Sequence, residues 1–188
     1  IKKDIRTSHI PVILLTALSS ADDKIEGLAR GADSYIPKPF HQQHLLVRVD
    51  KLIEQRKQLR AHYRKELFSM SKPDCSPSID EKFMKKVLDY ICKNLAEPEL
   101  NVENLSREIA ISTTHLYRKI KSLTGLSTNE MIRKVRLQKA AELLSGGAKN
   151  VSEVMYDVGF SNHSYFAKCF QEEFGVTPKE YIQGSDSG

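Results

Sequence analysis

Two rhythms of apolar and polar positions divide this chain of 188 residues. Near the start, Ile10-Pro11-Val12-Ile13-Leu14-Leu15-Thr16 is an unbroken, β-rich apolar run, which predicts a buried strand. Ala21 to Arg30, stopped by Gly31, predicts a helix; Ser34-Tyr35-Ile36-Pro37 predicts a second short strand; Gln42 opens another helix. This β-α-β-α order predicts parallel strands of a doubly wound sheet, although two strands alone make a poor domain. Leu45, Val49, Leu52, Leu59 and Tyr63 then follow a 4-3-7-4 rhythm, with Arg56 at the skipped place. That is a heptad seam with one polar interruption, and it predicts a single helix from about 42 to 68. Ser69 to Ser78, with Lys72-Pro73-Asp74 and Ser76-Pro77-Ser78, reads as a linker.

Beyond residue 79 the period turns helical. Asp80 is positioned to cap a helix that carries Phe83, Val87, Leu88, Ile91 and Leu95 on one face. Asn101 or Val102 starts a short helix through Ile109. Ser112 caps the next, with Leu116, Ile120 and Leu123 on one side and Gly125 at its end. Ser127 and Glu130 form a capping box opening a longer helix to about residue 145, closed by Gly146-Gly147. Ser152 is the expected cap of a helix through Val158. Asn162 caps another, which buries Phe166, Phe170 and Phe174 before Gly175. Thr177-Pro178 starts a last short helix.

This stretch repeats itself. Leu105 to Ala110 aligns with Val154 to Gly159 at a shift of 49. Leu116, Arg118, Ile120, Gly125, Ser127, Glu130, Met131 and Ile132 align with Phe166, Lys168, Phe170, Gly175, Thr177, Glu180, Tyr181 and Ile182 at a shift of 50. The repeated unit is a helix-turn-helix, and two copies are too few for a solenoid. A duplicated DNA-reading motif fits. The linking helix of 127–145 is roughly 28 Å long at 1.5 Å per residue. Successive major-groove windows lie roughly 34 Å apart, so one chain can address two of them.

Charge adds position, not magnitude. The net charge is +5, but residues 80–188 carry fifteen Lys/Arg against fifteen Asp/Glu. From Arg118 to Lys139, however, seven cations (Arg118, Lys119, Lys121, Arg133, Lys134, Arg136, Lys139) face one acid, Glu130. That polarity suits a phosphate-facing surface; an ordinary solvated helix face is the alternative. Cys75, Cys92 and Cys169 are scattered and lack metal spacing, which fits reduced thiols in a cytosolic protein. Cys92 and Cys169 fall on apolar helix faces and read as packed thiols. No nucleophilic triad, zinc or nucleotide-loop pattern is present, so an enzyme is not expected. No apolar run is long enough to span a bilayer, and no membrane contact is expected.

Val158-Gly159-Phe160-Ser161-Asn162-His163-Ser164-Tyr165-Phe166, Phe170, Phe174-Gly175-Val176-Thr177-Pro178-Lys179-Glu180-Tyr181 and Arg136-Leu137-Gln138-Lys139-Ala140-Ala141-Glu142-Leu143-Leu144 resemble the DNA-binding domain of the AraC/XylS family of transcription regulators. The resemblance covers about a hundred residues. It implies a mainly α fold of seven helices with both reading helices in the major groove of double-stranded DNA. Base contacts are expected early in each reading helix. Those positions are Thr114, Tyr117, Arg118 and Lys121 in the first, and His163, Ser164 and Lys168 in the second, with Asn162 beside the backbone. Arginine can bond bidentately to guanine, although Arg118 would also serve as a surface cation. Tyr117 has three open roles: packing on the linking helix, meeting a thymine methyl, or meeting a phosphate. His163 is equally suited to a base, a cap or a phosphate.

At the other end, Leu14-Leu15-Thr16-Ala17, Gly31-Ala32-Asp33-Ser34-Tyr35 and Pro37-Lys38-Pro39-Phe40 resemble the last third of a response-regulator receiver domain, a flavodoxin-like α/β fold. In that family the Thr16 hydroxyl and Lys38 ammonium grip a phosphoryl group, Tyr35 swings inward, and the Lys38–Pro39 peptide is cis. The metal-holding acidic pair and the acceptor aspartate lie upstream in that family. Thr16, Tyr35 and Lys38 are therefore expected to be switch remnants. No cofactor is expected in this fragment, Mg²⁺ belonging to a complete receiver, and Asp22 and Asp23 read as helix-start acids. The strand at 12–16 would be left with an open edge. A second copy covering it, or poor order in residues 1–40, is the expectation, with homodimerisation through the remnant and the connector helix.

The expected organisation is a receiver fragment at 1–50, a connector helix and linker at 51–79, a tandem helix-turn-helix domain at 80–183 and a tail at 184–188. The expected function is sequence-specific transcription regulation as the output part of a two-component phosphorelay, suited to a hybrid histidine kinase whose parent chain is tethered to the inner membrane while this part is cytoplasmic. The alternative is a helical module that docks a partner protein instead of DNA.

Overall fold

The computed structural model describes residues 1–17, 20–66, 78–97, 99–147 and 150–185. Its elements, in chain order, are β1 (Ile13–Thr16), α1 (Ala21–Ala29), β2 (Ser34–Pro37), α2 (Gln42–Glu66), α3 (Ile79–Lys93), α4 (Val102–Ile109), α5 (Thr113–Thr124), α6 (Thr128–Ser145), α7 (Val151–Asp157), α8 (His163–Phe174) and α9 (Pro178–Ser185). They cluster into two compact units. One holds residues 1–83 and 118–125; the other holds 84–117 and 126–188.

In the first unit β1 and β2 pair in parallel, with Ile13 opposite Ser34 and Thr16 opposite Pro37. β1 is shorter than the apolar run suggested. Ile10 lies in a turn over 1–10, and Asp33 anchors the strand's entry by accepting the Val12 N–H at 2.7 Å. α1 lies close on this pair because Gly27 has no side chain: a Cβ there would meet the Tyr35 ring at 3.0 Å and Leu14 at 3.1 Å. The Ser20 hydroxyl caps α1 and Asp23 bonds back to it, so Asp23 is a helix-start acid as expected. The Lys38–Pro39 peptide is cis. α2 runs unbroken through the heptad seam to Glu66. Tyr63 is buried, while Val49 and Leu59 remain exposed. The expected linker lies almost wholly in 67–77, outside the described residues.

The second unit is built from helices stapled at their ends by short polar motifs. Ser127 and Glu130 exchange hydrogen bonds at the start of α6, and Thr177 and Glu180 do the same at the start of α9. Gly125 and Gly175 close α5 and α8 with φ of 78° each. Leu137, Ala140, Ala141 and Leu144 of α6 form one wall of a core completed by Val154, Met155, Val158, Phe166 and Phe170. Phe160 is buried there too, and Phe174 and Tyr181 pack against its edge. The Phe170 ring lies 4.5 Å from that of Phe174 and 5.4 Å from that of Tyr181.

Three local expectations are corrected. α3 is capped by Ser78, whose hydroxyl accepts the Glu81 N–H while Glu81 returns a bond to the Ser78 N–H. Asp80 sits inside the first turn, and its carboxyl is drawn away to Lys119. α7 is capped by Asn150, not Ser152, because the Asn150 side chain accepts the Glu153 N–H at 2.9 Å. Cys92 is exposed rather than packed: the core face of α3 runs through Val87 and Ile91, and the next residue turns about 100° away. Cys169 is buried as expected.

Candidate nucleic-acid interface

Each helix-turn-helix begins with a short helix whose apolar face is sealed and ends with an exposed polar one. In the first, Asn101 caps α4 and Leu105 and Ile109 bury its inner side. The turn passes through Ala110 in the left-handed region, with φ of 59°. Ser112 then caps α5, accepting the His115 N–H at 3.3 Å. In the second, the turn after α7 passes through Gly159, φ 79°, and Asn162 caps α8 by accepting the Tyr165 N–H at 2.8 Å. The two turns therefore place their left-handed residue at the station where the sequence repeat aligned them.

Side-chain placement follows the helical period. On α5, Thr114, Tyr117, Arg118 and Lys121 are all exposed, at spacings of three and four that keep them on one side. Tyr117 is 46% exposed. Leu116, Ile120 and Leu123 occupy the opposite, buried side. On α8, His163, Ser164 and Lys168 are exposed, with Asn162 exposed at the cap. Phe166 and Phe170 face the core. Lys168 has Glu172 one turn on, at 3.9 Å; both are well exposed, so the pair leaves the ammonium accessible. The ring of Tyr156 meets that of His163 edge-on, with centroids 6.1 Å apart.

The cation run from Arg118 to Lys139 is less available than its count suggests. Lys119 is 0% exposed. Its ammonium donates to the Asp80 carboxylate at 2.8 Å, the Ser8 hydroxyl at 2.6 Å and the Ile5 carbonyl at 2.6 Å, and lies 4.7 Å from the Phe83 ring centre. Lys134 of α6 pairs with Glu173 of α8, and Lys139 pairs with Glu142 at 2.9 Å. Among the described residues, Arg118, Lys121, Arg133 and Arg136 are in no such pair. The burial of Lys119 was readable: residues 116, 119, 120 and 123 form one helical stripe. Its partners lie 39 and more than 100 positions away, and those were not.

Burial pushes the Asp80 carboxyl up, but the hydrogen bonds from Lys119 and Ser8 outweigh it and hold the group below the ordinary carboxylate value. Burial also lowers the Lys119 ammonium, against the pull of Asp80.

The switch-remnant residues stand at one end of the strand pair. Thr16 closes β1, and its carbonyl accepts the Lys38 N–H at 2.7 Å. Tyr35 is half-buried and Lys38 is exposed. Among the described residues no group of three His, Cys, Asp or Glu is placed to hold a metal ion, and no helix is long and apolar enough to cross a membrane.

Comparison with known proteins bears on this arrangement. A family model described as a helix-turn-helix domain matches residues 105–184. Histidine kinase P4 of Formosa agariphila is 41% identical over 181 residues, which is 96% of this chain and 13% of that protein. The HTH-type transcriptional activator RhaS of Mannheimia succiniciproducens is 36% identical over 88 residues, 47% of this chain and 33% of that one. The chain thus spans about an eighth and a third of the curated relatives it matches. Among solved structures, the C-terminal domain of AraT, a response regulator from Geobacillus stearothermophilus, superposes with a TM-score of 0.51 at 28% identity, covering 60% of this chain and 88% of that one. The DNA-binding domain of AdpA, solved in complex with a target DNA, gives 0.50 at 25% identity, covering 54% and 90%. The seven helices α3–α9 form a tandem helix-turn-helix fold of the AraC type, and residues 105–184 match the helix-turn-helix family model.

Proposed function

We propose that this chain is a sequence-specific, DNA-binding transcription regulator, the output part of a two-component phosphorelay in a hybrid histidine kinase. The observation that carries the reading is the exposed polar side of each second helix. Thr114 and Arg118 on α5 match Ser164 and Lys168 on α8 in place and chemistry, with Tyr117, Lys121 and His163 exposed beside them. Two such units in one chain suit two successive major-groove windows. The likeness to a named histidine kinase along nearly the whole chain supports the hybrid origin. The Thr16–Lys38 arrangement at the strand ends supports reading residues 1–50 as a receiver remnant. Exposed apolar residues along β1 and α2, among them Leu14, Leu15, Val49 and Ile53, support self-association there. The proposed setting is the cytoplasm, where the DNA is.

The test is binding to duplex DNA selected from random oligonucleotides, read by fluorescence anisotropy across a salt series. A specific regulator loses affinity steeply with salt and keeps a preference for one sequence. Arg118→Ala costs about 1–3 kcal/mol and relaxes preference at one position, and Lys168→Ala acts likewise at another. If both variants retain wild-type affinity and preference, the assignment of α5 and α8 as reading helices is wrong. A chain that binds no duplex at all but retains a protein partner would instead be a docking module.

A further inference from the structure

The first turns of α6 and the segment entering α8 enclose a cleft of about 330 Å³ that the reading residues do not use. Its apolar floor is Leu100, Ile132 and Phe160. Arg133, Arg136, Ser161, Asn162 and Tyr165 stand round it. Two guanidinium groups therefore face one lining carboxylate, Glu130. That carboxylate is committed to its own helix, accepting the Ser127 N–H at 2.6 Å.

Arg136 is the group that needs explaining. Its Nε is sealed from solvent and has no hydrogen-bond partner among the described residues. One amino nitrogen reaches the Glu97 carbonyl at 3.4 Å, beyond the ordinary hydrogen-bond range. Burial lowers its pKa, and no acid opposes the shift. A half-buried cation without a counter-charge is costly. Yet the backbone is shaped to keep it there. At Gly159 a Cβ would stand 2.2 Å from the Leu95 carbonyl oxygen and 2.7 Å from an Arg136 amino nitrogen. Arg133, beside it, is held above its ordinary pKa chiefly by the neighbouring Tyr165 hydroxyl. The cleft also meets the N-terminus of α8, a helix of 12 residues, where unpaired N–H groups and the helix dipole favour negative charge.

We propose that this cleft is an anion site and that its occupant is a phosphodiester group of the DNA backbone, held by Arg133 and Arg136 at the start of α8. The inference rests on the DNA-binding reading and adds to it a contact that fixes register without reading sequence. The choice of DNA over free phosphate follows from position. His163, Ser164 and Lys168 are exposed on the same helix, starting one residue after Asn162. A duplex that meets them brings its backbone to the mouth of the cleft.

The experiment uses the whole chain. Anisotropy titrations of a selected duplex and an unrelated one, across a salt series, compare wild type with Arg133→Gln and Arg136→Lys. Arg133→Gln lowers the slope of log K against log salt by about 0.9, one phosphate's share. It weakens both duplexes by the same factor, leaving their ratio intact. A duplex carrying a single neutral methylphosphonate, moved stepwise along the strand, weakens wild type at one position where Arg133→Gln shows no further loss. Arg136→Lys keeps the charge and loses the fork, so its slope stays near wild type while its affinity for both duplexes falls by one factor; it serves if the glutamine variant melts early. In parallel, inorganic phosphate titrated without DNA shifts the arginine Nε resonances of residues 133 and 136. An unchanged slope in Arg133→Gln together with unchanged affinity in Arg136→Lys, or a changed base preference, overturns the proposal. Phosphate shifts in a chain that binds no DNA overturn the functional reading and the occupant, leaving a free-phosphate site. DNA binding with no phosphate shift and no loss of slope overturns the cleft alone.

Discussion

Ala110 and Gly159 hold the same station in the two turns, and the backbone asks the same of both: φ of 59° and 79°. An L-residue in the left-handed region is strained by roughly 1–2 kcal/mol, which glycine avoids. Ala110 therefore carries a local cost that Gly159 does not. Ala110→Gly is expected to be neutral or to stabilise by up to about 1 kcal/mol, because released strain is partly offset by the freer unfolded chain. Gly159→Ala adds the same strain and two collisions, with the Leu95 carbonyl and the Arg136 guanidinium. It should destabilise by more than about 2 kcal/mol. Urea denaturation of both variants checks the pair; equal effects of the two would show that the turns are not equivalent. Repeat alignment had set these residues opposite each other as small and apolar. What it could not reveal was the crowding around only one of them, which depends on residues 23 and 64 positions earlier in the chain.

Among the elements, α5 shows what helical spacing gives and what it withholds. Its exposed side, Thr114, Tyr117, Arg118 and Lys121, and its apolar stripe were legible from the period alone. Its caps were too, since Ser112 and Gly125 act within four residues. Lys119 was misjudged as a phosphate-facing cation because charge was counted before position. Its bonds to Asp80, Ser8 and Ile5 join segments far apart in sequence, and no local pattern encodes them. The same distance explains why Ser78, not Asp80, caps α3: the carboxyl has a stronger partner elsewhere. Removing one member of this pair leaves a poorly solvated charge. Lys119→Met is expected to cost about 3–5 kcal/mol, while Lys119→Met with Asp80→Leu should recover most of it. The pH dependence follows from Asp80, whose folded pKa lies below its unfolded value. Its contribution is therefore complete above about pH 4 and fades as pH falls through the depressed folded value. Asp80→Asn should flatten the acid side of the stability curve below about pH 4, measured by urea midpoints. An unaltered acid limb would mean that the ion pair contributes nothing there.

For the whole molecule the question is how many copies one DNA site recruits. α6 is an unbroken helix of 18 residues between the two motifs, about 27 Å long. It has a capping box at one end and buried residues along its length, so it behaves as a spacer of fixed length rather than a tether. If both motifs read DNA, the length of α6 limits how far apart the two windows of a single chain can lie. Inserting about 5 base pairs between the windows turns the second roughly half a revolution away, beyond the reach of α8. Inserting about 10 restores the face but adds roughly 34 Å of rise, which a rod of this length cannot span. Both insertions should therefore lower affinity to that of one window. Two chains joined through α2, each reading one window, would behave differently. They would lose binding at the half-turn insertion and regain much of it at the full turn, where both windows again face the same side. Anisotropy on the three duplexes separates the cases, with the chain's mass in the complex as an independent measure. Recovery at the full turn would show that the two motifs of one chain do not act on adjacent windows.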